Sequence, residues 1–317
     1  MQRRRFLQMS GSLLTASAMA YGAGAQTKPA SDAAAFHAQR RYATLACGRI
    51  AYIERGKAEV ALFLHGAPLN SFQWRGAIDL LSPYRRCLAP DFMGLGYTQV
   101  TESQALTADA QSAMLLALLD HLGIDKVDII ASDSGGAVAQ LFLIAHPDRV
   151  RSMLLSNCDV EPDSPPSDVQ PVIAMARAGT LADTTEKWLS DTALARATFG
   201  AAVYHEPARL TAETIDYYVR PLVSSALRRA QYHAFHLALE PNPLAGIEAA
   251  LKRSTVPVKI VWGASDTIFS MDDAKYLDRI FPASRGIRSV PQGKLFFQEE
   301  FPEVIAEEAL RLWQSVS

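Results

Sequence analysis

A short segment in the middle of the chain combines a carboxylate, a hydroxyl and several small residues. The apolar run 127–130 leads into Ala131-Ser132-Asp133-Ser134-Gly135-Gly136, and a helical pattern follows at once. A nucleophile between small residues at a strand-to-helix turn stands clear of the backbone, and the helix N-terminus behind it favours developing negative charge. The spacing therefore predicts covalent catalysis by a residue at this turn.

Two neighbouring residues are candidates for the nucleophile. With Asp133 in that role, the flanking positions 131, 135 and 136 hold only Ala or Gly. With Ser134 in that role, one flanking position holds the larger Ser132. Because a tight turn is easiest with the smallest residues, we favour Asp133 and keep Ser134 as the alternative nucleophile.

Strands and helices must position this turn, and they can be predicted from the alternation of short apolar runs with helical patterns. Strands are predicted at 50–53, 60–64, 86–90, 127–130, 152–155 and 258–262, and helices at 108–122, 137–145, 272–280 and 302–313. This alternation is typical of a mostly parallel sheet flanked by helices. The predicted fold class is therefore α/β.

A Pro-rich stretch at 161–166 interrupts the alternation, and only helical patterns follow until about residue 243. A helical insertion of this kind is most simply a lid over the carboxyl edge of the strands, where open sheets bind ligands. We therefore expect a core in two parts, 26–160 and 246–317, separated by a helical lid at 161–245.

The composition excludes several classes of protein. The chain has 317 residues, 49% of them hydrophobic, and 33 acidic side chains against 31 Lys and Arg, for a net charge of −2. This balance gives no reason to expect nucleic-acid binding. The three cysteines show no C-x-x-C spacing, so neither a disulfide scaffold nor a zinc site is expected. We predict no metal and no cofactor, and a small molecule as the substrate.

Residues 1–25 have the pattern of an export signal. Arg3-Arg4-Arg5-Phe6-Leu7 precedes an apolar stretch without acids, and Ala23-Gly24-Ala25 supplies a small-x-small cleavage pattern. Adjacent arginines followed by Phe-Leu resemble a twin-arginine signal, with a general secretory signal or an uncleaved anchor as alternatives. We expect twin-arginine export machinery as a partner, a periplasmic location in a bacterium, and no stable membrane insertion after cleavage.

Several motifs together resemble the α/β-hydrolase superfamily, in the branch of haloalkane dehalogenases and epoxide hydrolases. They are the turn at Asp133, His65-Gly66-Ala67-Pro68, Trp74-Arg75, Asp91-Phe92-Met93-Gly94-Leu95-Gly96 and His146-Pro147-Asp148-Arg149-Val150. The resemblance spans nearly the whole chain after the signal. It implies an α/β-hydrolase fold with the lid where this family has it.

The resemblance also implies roles for individual residues. Asp133 attacks a carbon electrophile and forms an ester, while the backbone N–H groups of Ala67 and Ser134 form the oxyanion hole. Asp266, after the strand that ends at Trp262-Gly263, matches the family's acid, and Asp159 matches an alternative position for it. A histidine oriented by that acid would activate water.

That histidine is missing from the expected place. Leu295 occupies the family's His position, and no histidine follows His236 in the chain. His65 and His236 are possible substitutes, with bracing of the oxyanion loop and an amphipathic lid helix as their alternative interpretations. We expect substrate contacts from a set of six residues: His65, Trp74, Tyr217, Tyr218, His236 and Leu295.

The predicted function is an Asp133 hydrolase that acts on a small, largely apolar electrophile. Ala67 and Ser134 stand where dehalogenases carry the Asn and Trp that bind halide, which favours an epoxide-like or ester-like substrate. The candidates for protonating an epoxide oxygen are four tyrosines of the lid: Tyr204, Tyr217, Tyr218 and Tyr232. Two alternatives remain: a Ser134 esterase, and a catalytically reduced homologue that binds a small ligand under its lid.

The export signal leads to a direct prediction. Replacing both Arg3 and Arg4 by Lys is expected to leave the precursor in the cytoplasm, because twin-arginine recognition reads the arginine pair. A single Lys replacement should have a milder effect. Cell fractionation measures the outcome, and normal periplasmic delivery of the double variant would contradict the assignment.

Overall fold

The computed structural model describes residues 32–315. The predicted signal at 1–25 lies outside the described residues. Across 32–315, no helix is both long and apolar enough to cross a membrane.

Eight strands form one sheet in the order β1-β2-β4-β3-β5-β6-β7-β8. Their bounds are β1 Arg41–Leu45, β2 Gly48–Arg55, β3 Val60–Leu64, β4 Arg86–Pro90, β5 Val127–Asp133, β6 Val150–Cys158, β7 Val258–Gly263 and β8 Ser284–Val290. Only the pairings of β1 with β2 and of β2 with β4 are antiparallel in this sheet of the described chain. The predicted α/β class is confirmed.

Helices before β6 and after β7 pack around the sheet. They are α1 Ala33–Ala38, α2 Arg75–Leu81, α3 Ala108–His121 and α4 Ser134–Ala145, and later α12 Met271–Ile280, α13 Phe297–Glu300 and α14 Pro302–Gln314. Helix α3 contacts α4, and α2 contacts α14. All five side chains of β3 are buried, as expected for an interior strand of a covered parallel sheet.

The helical elements named between β6 and β7 are all short. They are α5 Gln170–Arg177, α6 Leu181–Glu186, α7 Thr192–Ala195, α8 Ala201–Val203, α9 Ala212–Val223, α10 Ala226–Leu237 and α11 Glu248–Leu251. The helical conformation is interrupted between α9 and α10. There the Ser225 side chain caps α10 by accepting a hydrogen bond from the N–H of Arg228. The exact domain limits stay a prediction.

The loop after β4 is organised by one buried carboxylate. Asp91 is fully buried, and its two oxygens accept backbone N–H groups of Ser71 at 2.9 Å and Tyr97 at 2.9 Å. A buried N–H without an acceptor costs free energy, so this carboxylate stabilises two loops at once. The loop that contains Ser71 lies six residues after His65 and adjoins the predicted oxyanion loop.

Asp91→Ala is expected to lower the free energy of unfolding by about 3 kcal/mol, because two charge-assisted hydrogen bonds are lost and two buried N–H groups are left without an acceptor. Urea unfolding measures the change. Asp120→Ala is the control, since Asp120 is 59% exposed and pairs only with Arg149 at the surface. Equal stability of the two variants would contradict this account.

Candidate active site

The backbone at Asp133 has an unusual conformation. Asp133 is the last residue of β5, Ser134 is the first of α4, and Asp133 has φ of 55° and ψ of −139°. A non-glycine residue with positive φ carries strain, which folded proteins retain mainly at functional sites. The strand-to-helix turn therefore places Asp133, rather than Ser134, at its tip.

Close packing behind the turn explains the two glycines. A Cβ on Gly135 would lie 2.7 Å from the carbonyl oxygen of Leu64, and one on Gly136 would lie 2.6 Å from the sulfur of Cys158. Real side chains do not make contacts this short, so α4 reaches the sheet only with Gly at both positions.

The Asp133 carboxylate is bound by two backbone N–H groups. Its Oδ1 accepts from the N–H of Ser134, and the N–H of Ala67 also hydrogen-bonds to the carboxylate. These are the two amides expected to form an oxyanion hole. The Ser134 hydroxyl is buried and has no hydrogen-bond partner within the described chain, so nothing there activates it as a nucleophile.

A cavity of about 440 Å³ opens above the turn. Its floor contains Asp133, Asp159, Ala67 and Leu295. Lid residues complete the wall and are mostly apolar: Val172, Met175, Leu181, Trp188, Phe199, Val203, Tyr232, His236 and Leu239. No Lys or Arg of the described chain lines this cavity. Such a lining suits a small apolar ligand.

Asp159 lies next to Asp133 because their strands are neighbours. Asp133 pairs in register with Cys158, and adjacent strands lie about 4.8 Å apart. The Oδ1 of Asp159 accepts from the Ser164 hydroxyl at 2.8 Å. Burial raises the pKa of Asp159 to about 6, although the Ser164 hydrogen bond opposes the shift.

Asp266 is held differently. Its Oδ2 accepts from Asn157 Nδ2 at 2.7 Å and its Oδ1 from the N–H of Ile268 at 3.0 Å. Burial raises the pKa of Asp266 to about 6, and these donors oppose the shift. Asp266 does not line the cavity. Asn157 was missed by the sequence analysis; a buried amide inside an apolar strand was the available signal.

Within residues 32–315, His236 is the one histidine that lines the cavity. Leu295, which the sequence analysis expected at the histidine position, is 4% exposed and contributes an apolar surface to the cavity. The pKa of Asp133 is well above its usual value, first because of burial and then because of the Asp159 charge; the N–H groups of Ser134 and Ala67 oppose this. Proton exchange at the site therefore involves coupled carboxyls.

Comparison with known proteins agrees with this geometry. The family model for the alpha/beta hydrolase fold matches residues 60–301. The chain belongs to the α/β-hydrolase fold family. Among relatives, haloalkane dehalogenase 2 of Mycobacterium tuberculosis is 26% identical over 263 residues, covering 82% of this chain and 89% of that protein. The soluble epoxide hydrolase of Corynebacterium sp. is 27% identical over 287 residues, covering 84% and 93%.

A solved structure supports the same fold. An alpha/beta hydrolase fold protein from Burkholderia ambifaria superimposes with a TM-score of 0.74 at 22% identity, covering 86% of this chain and 97% of that one. The expected resemblance to the dehalogenase and epoxide hydrolase branch is confirmed.

Two tyrosines expected to contact substrate are absent from the cavity of this α/β-hydrolase. The Tyr217 ring packs 4.5 Å from Phe72, centroid to centroid, and its hydroxyl accepts from Arg40. The Tyr218 hydroxyl lies 3.4 Å from Arg75 Nη1. The prediction was wrong for both because helical spacing does not show which neighbour a tyrosine will face.

His65 and Trp74 also lie outside the cavity lining. His65 is fully buried; its Nδ1–H donates to Gly66 O at 2.8 Å, and its Nε2 accepts from the N–H of Phe92 at 3.0 Å. Burial lowers the pKa of His65. This histidine therefore braces the oxyanion loop, the alternative interpretation. Trp74 is fully buried and packs on Phe63, so the expectation of substrate contact was wrong for both.

Two residues of α10 do line the cavity. His236, as expected, faces it; its Nδ1–H donates to Tyr232 O at 2.9 Å, and burial lowers its pKa to about 4. It is therefore neutral at physiological pH and a weak base. Tyr232 was one of the lid tyrosines considered for protonating an epoxide, and its hydroxyl lies 3.2 Å from the Thr185 hydroxyl.

The raised pKa of Asp159 gives a prediction about stability. A carboxyl with pKa about 6 when folded and about 4 when unfolded binds more protons in the folded state, so stability falls as pH rises from 4 to 6. Asp159→Asn keeps the acceptor for Ser164 and carries no charge. We expect it to stabilise the protein by roughly 3 kcal/mol at pH 8 and by almost nothing near pH 4.

Urea unfolding at several pH values measures this difference. Asp125→Asn is the matched control, since Asp125 is exposed. A stabilisation by Asp159→Asn that is the same at pH 4 and pH 8 would refute the assignment of a buried, proton-binding carboxyl.

Proposed function

We propose that this α/β-hydrolase opens small apolar epoxides through a covalent ester on Asp133. The observation that carries the proposal is the position of the Asp133 carboxylate, at the tip of a strained turn, against two backbone N–H groups and facing an apolar cavity. A carboxylate in this position can reach a carbon electrophile, and the ester it forms remains beside the two amides.

The reaction has two steps. An Asp133 oxygen attacks a ring carbon, the ring C–O bond breaks, and the released oxygen takes a proton; the product is a hydroxyalkyl ester. Water then adds to the Asp133 carboxyl carbon, and the N–H groups of Ala67 and Ser134 stabilise the oxyanion. Collapse of that intermediate releases a diol and restores the carboxyl group. Epoxide and water are the only reactants.

The cavity favours an epoxide over a haloalkane. A halide leaves as an anion and needs N–H donors, and the side chains of Ala67 and Ser134 contain no N–H group. An opened epoxide retains its oxygen and needs a proton instead, which the carboxyl and phenol groups of the cavity can supply. The lid indole of Trp188 also lines the cavity, so bromoalkanes belong in the substrate panel.

A Ser134 esterase has weaker support. The Ser134 hydroxyl lies in the first turn of α4, and no base within residues 32–315 hydrogen-bonds to it. We also propose periplasmic action after twin-arginine export, which is supported by the Arg3-Arg4 pair and the small-x-small pattern in the sequence.

Oxygen tracing tests the Asp133 ester. In a single turnover of styrene oxide in H₂¹⁸O with excess protein, the heavy oxygen is expected in the Asp133 carboxyl, because water attacks the carboxyl carbon. The diol should contain only ordinary oxygen. Mass spectrometry of the peptide and of the diol measures both. If the ester is formed but not hydrolysed, the peptide should instead carry the mass of the epoxide.

Asp133→Asn is expected to abolish labelling and turnover, whereas the exposed Asp125→Asn control should retain both. Heavy oxygen in the first diol, with none in the protein, would contradict the covalent route. Absence of label, adduct and turnover with epoxides, bromoalkanes and aryl esters alike would reject the hydrolase and favour the ligand-binding alternative.

A further inference from the structure

Three carboxyls line the cavity of this hydrolase: Asp133, which is the proposed nucleophile, Asp159 beside it, and the exposed Asp168. Asp159 lines the cavity with Asp133 and follows the residue that pairs with Asp133 across the sheet. In the related enzymes, an acid at this position would orient a histidine. Leu295 removes that histidine, so the Asp159 carboxyl has no imidazole to orient.

We infer that Asp159 itself transfers the protons of the Asp133 reaction, first as an acid toward the opened epoxide oxygen and then as a base toward water. The inference rests on the proposed function and assigns to Asp159 a task that the family gives to other groups. It also restricts the substrate class to electrophiles whose leaving oxygen must be protonated.

The contacts of Asp159 leave it suited to proton transfer. Its side chain is 5% exposed and receives one side-chain hydrogen bond, from the Ser164 hydroxyl to Oδ1. Its other hydrogen bond comes from its own backbone N–H. Asp266, by contrast, is held by Asn157 and by backbone N–H groups, and it does not line the cavity. Asp168 also lines the cavity but is exposed, so Asp159 is the buried carboxyl beside Asp133 that substrate can reach.

The proton balance closes over one cycle. The pair holds one proton, and in the reactive form that proton is on Asp159 and Asp133 is ionised. Ring opening passes the Asp159 proton to the epoxide oxygen and leaves a carboxylate. That carboxylate takes a proton from the water that attacks the ester carbon, and then returns it to the alkoxide of the departing diol. Asp133 is now protonated and Asp159 ionised. One proton passes from Asp133 to Asp159 through the pair or solvent, and the cycle restarts.

The surroundings favour a shared proton. Burial and the proximity of another carboxyl both disfavour a second negative charge, while the N–H groups of Ser134 and Ala67 stabilise the first one on Asp133. Burial raises the pKa of both carboxyls, so the pair keeps one proton near neutral pH. The carboxyls and the thiol whose charges bear on the pair are Asp163, Asp266, Asp273 and Cys158. Three further titratable groups line the same cavity: Asp168, Tyr232 and His236.

The test measures the rate of ester formation and the lifetime of the ester, with styrene oxide as the probe, from pH 5 to pH 9. In the wild type, ester formation should slow on the alkaline side, approaching tenfold per pH unit, once the pair has lost its one remaining proton. Asp159→Asn should remove this alkaline decline and lower the rate by about 10²–10⁴-fold. Its Asp133 adduct should persist in intact-mass spectra, because hydrolysis has lost its base.

Two further variants separate this role from a structural one. Asp159→Glu restores a carboxyl and should recover part of the alkaline decline. Asp125→Asn removes an exposed carboxyl that does not line the cavity, and it should leave the pH profile and the adduct lifetime unchanged.

An Asp159→Asn variant that keeps the alkaline decline, or hydrolyses its adduct at the wild-type rate, would overturn the inference. So would a wild-type adduct as persistent as that of Asp159→Asn. These results still leave label or adduct on Asp133 and so support the proposed function. Absence of both from Asp133 would reject the proposed function itself.

Discussion

The turn at Asp133 is the constraint on which the rest of the site depends. A positive φ at a non-glycine residue is held only when the surrounding structure determines it, and here β5, α4 and the oxyanion loop do so together. Gly135 and Gly136 let α4 approach the sheet, and His65 fixes the loop that carries Ala67. These contacts explain how one carboxylate is presented to a cavity beside two amides.

Much of this arrangement could be predicted from the sequence, because it is local. β3 and β4 have the predicted bounds, and the small residues around Asp133 identified the turn. Leu295 was recognised in place of the histidine and does line the cavity. Such features depend on periodicity, turn chemistry and chain order, which short windows of sequence contain.

Features that depend on how distant elements pack were harder to predict. Tyr217 lies on α9 and Tyr232 on α10. The sequences of these two helices do not show that Tyr232 lines the cavity and Tyr217 does not. Likewise, Asn157 positions Asp266 by a hydrogen bond that forms only because β7 and the loop after it lie beside β6. Such a contact between distant segments is not visible in the sequence around Asn157. The orientation of a lid helix is set by its contacts with the core and not by its own spacing of apolar residues.

If Leu295 replaces a histidine, as the resemblance implies, the apolar lining affects both the choice of substrate and the protonation of the carboxyls. The lining suits the small apolar substrate that we propose, and by burying the carboxyls below it the lining also raises their pKa. In a site with a histidine, carboxyls remain ionised beside the imidazolium. Without one, a proton shared by Asp133 and Asp159 is the least costly state. Such a site suits a substrate whose oxygen must be protonated as its C–O bond breaks, as in an epoxide. The presence of Leu rather than His at position 295 is thereby connected with the class of electrophile that we propose.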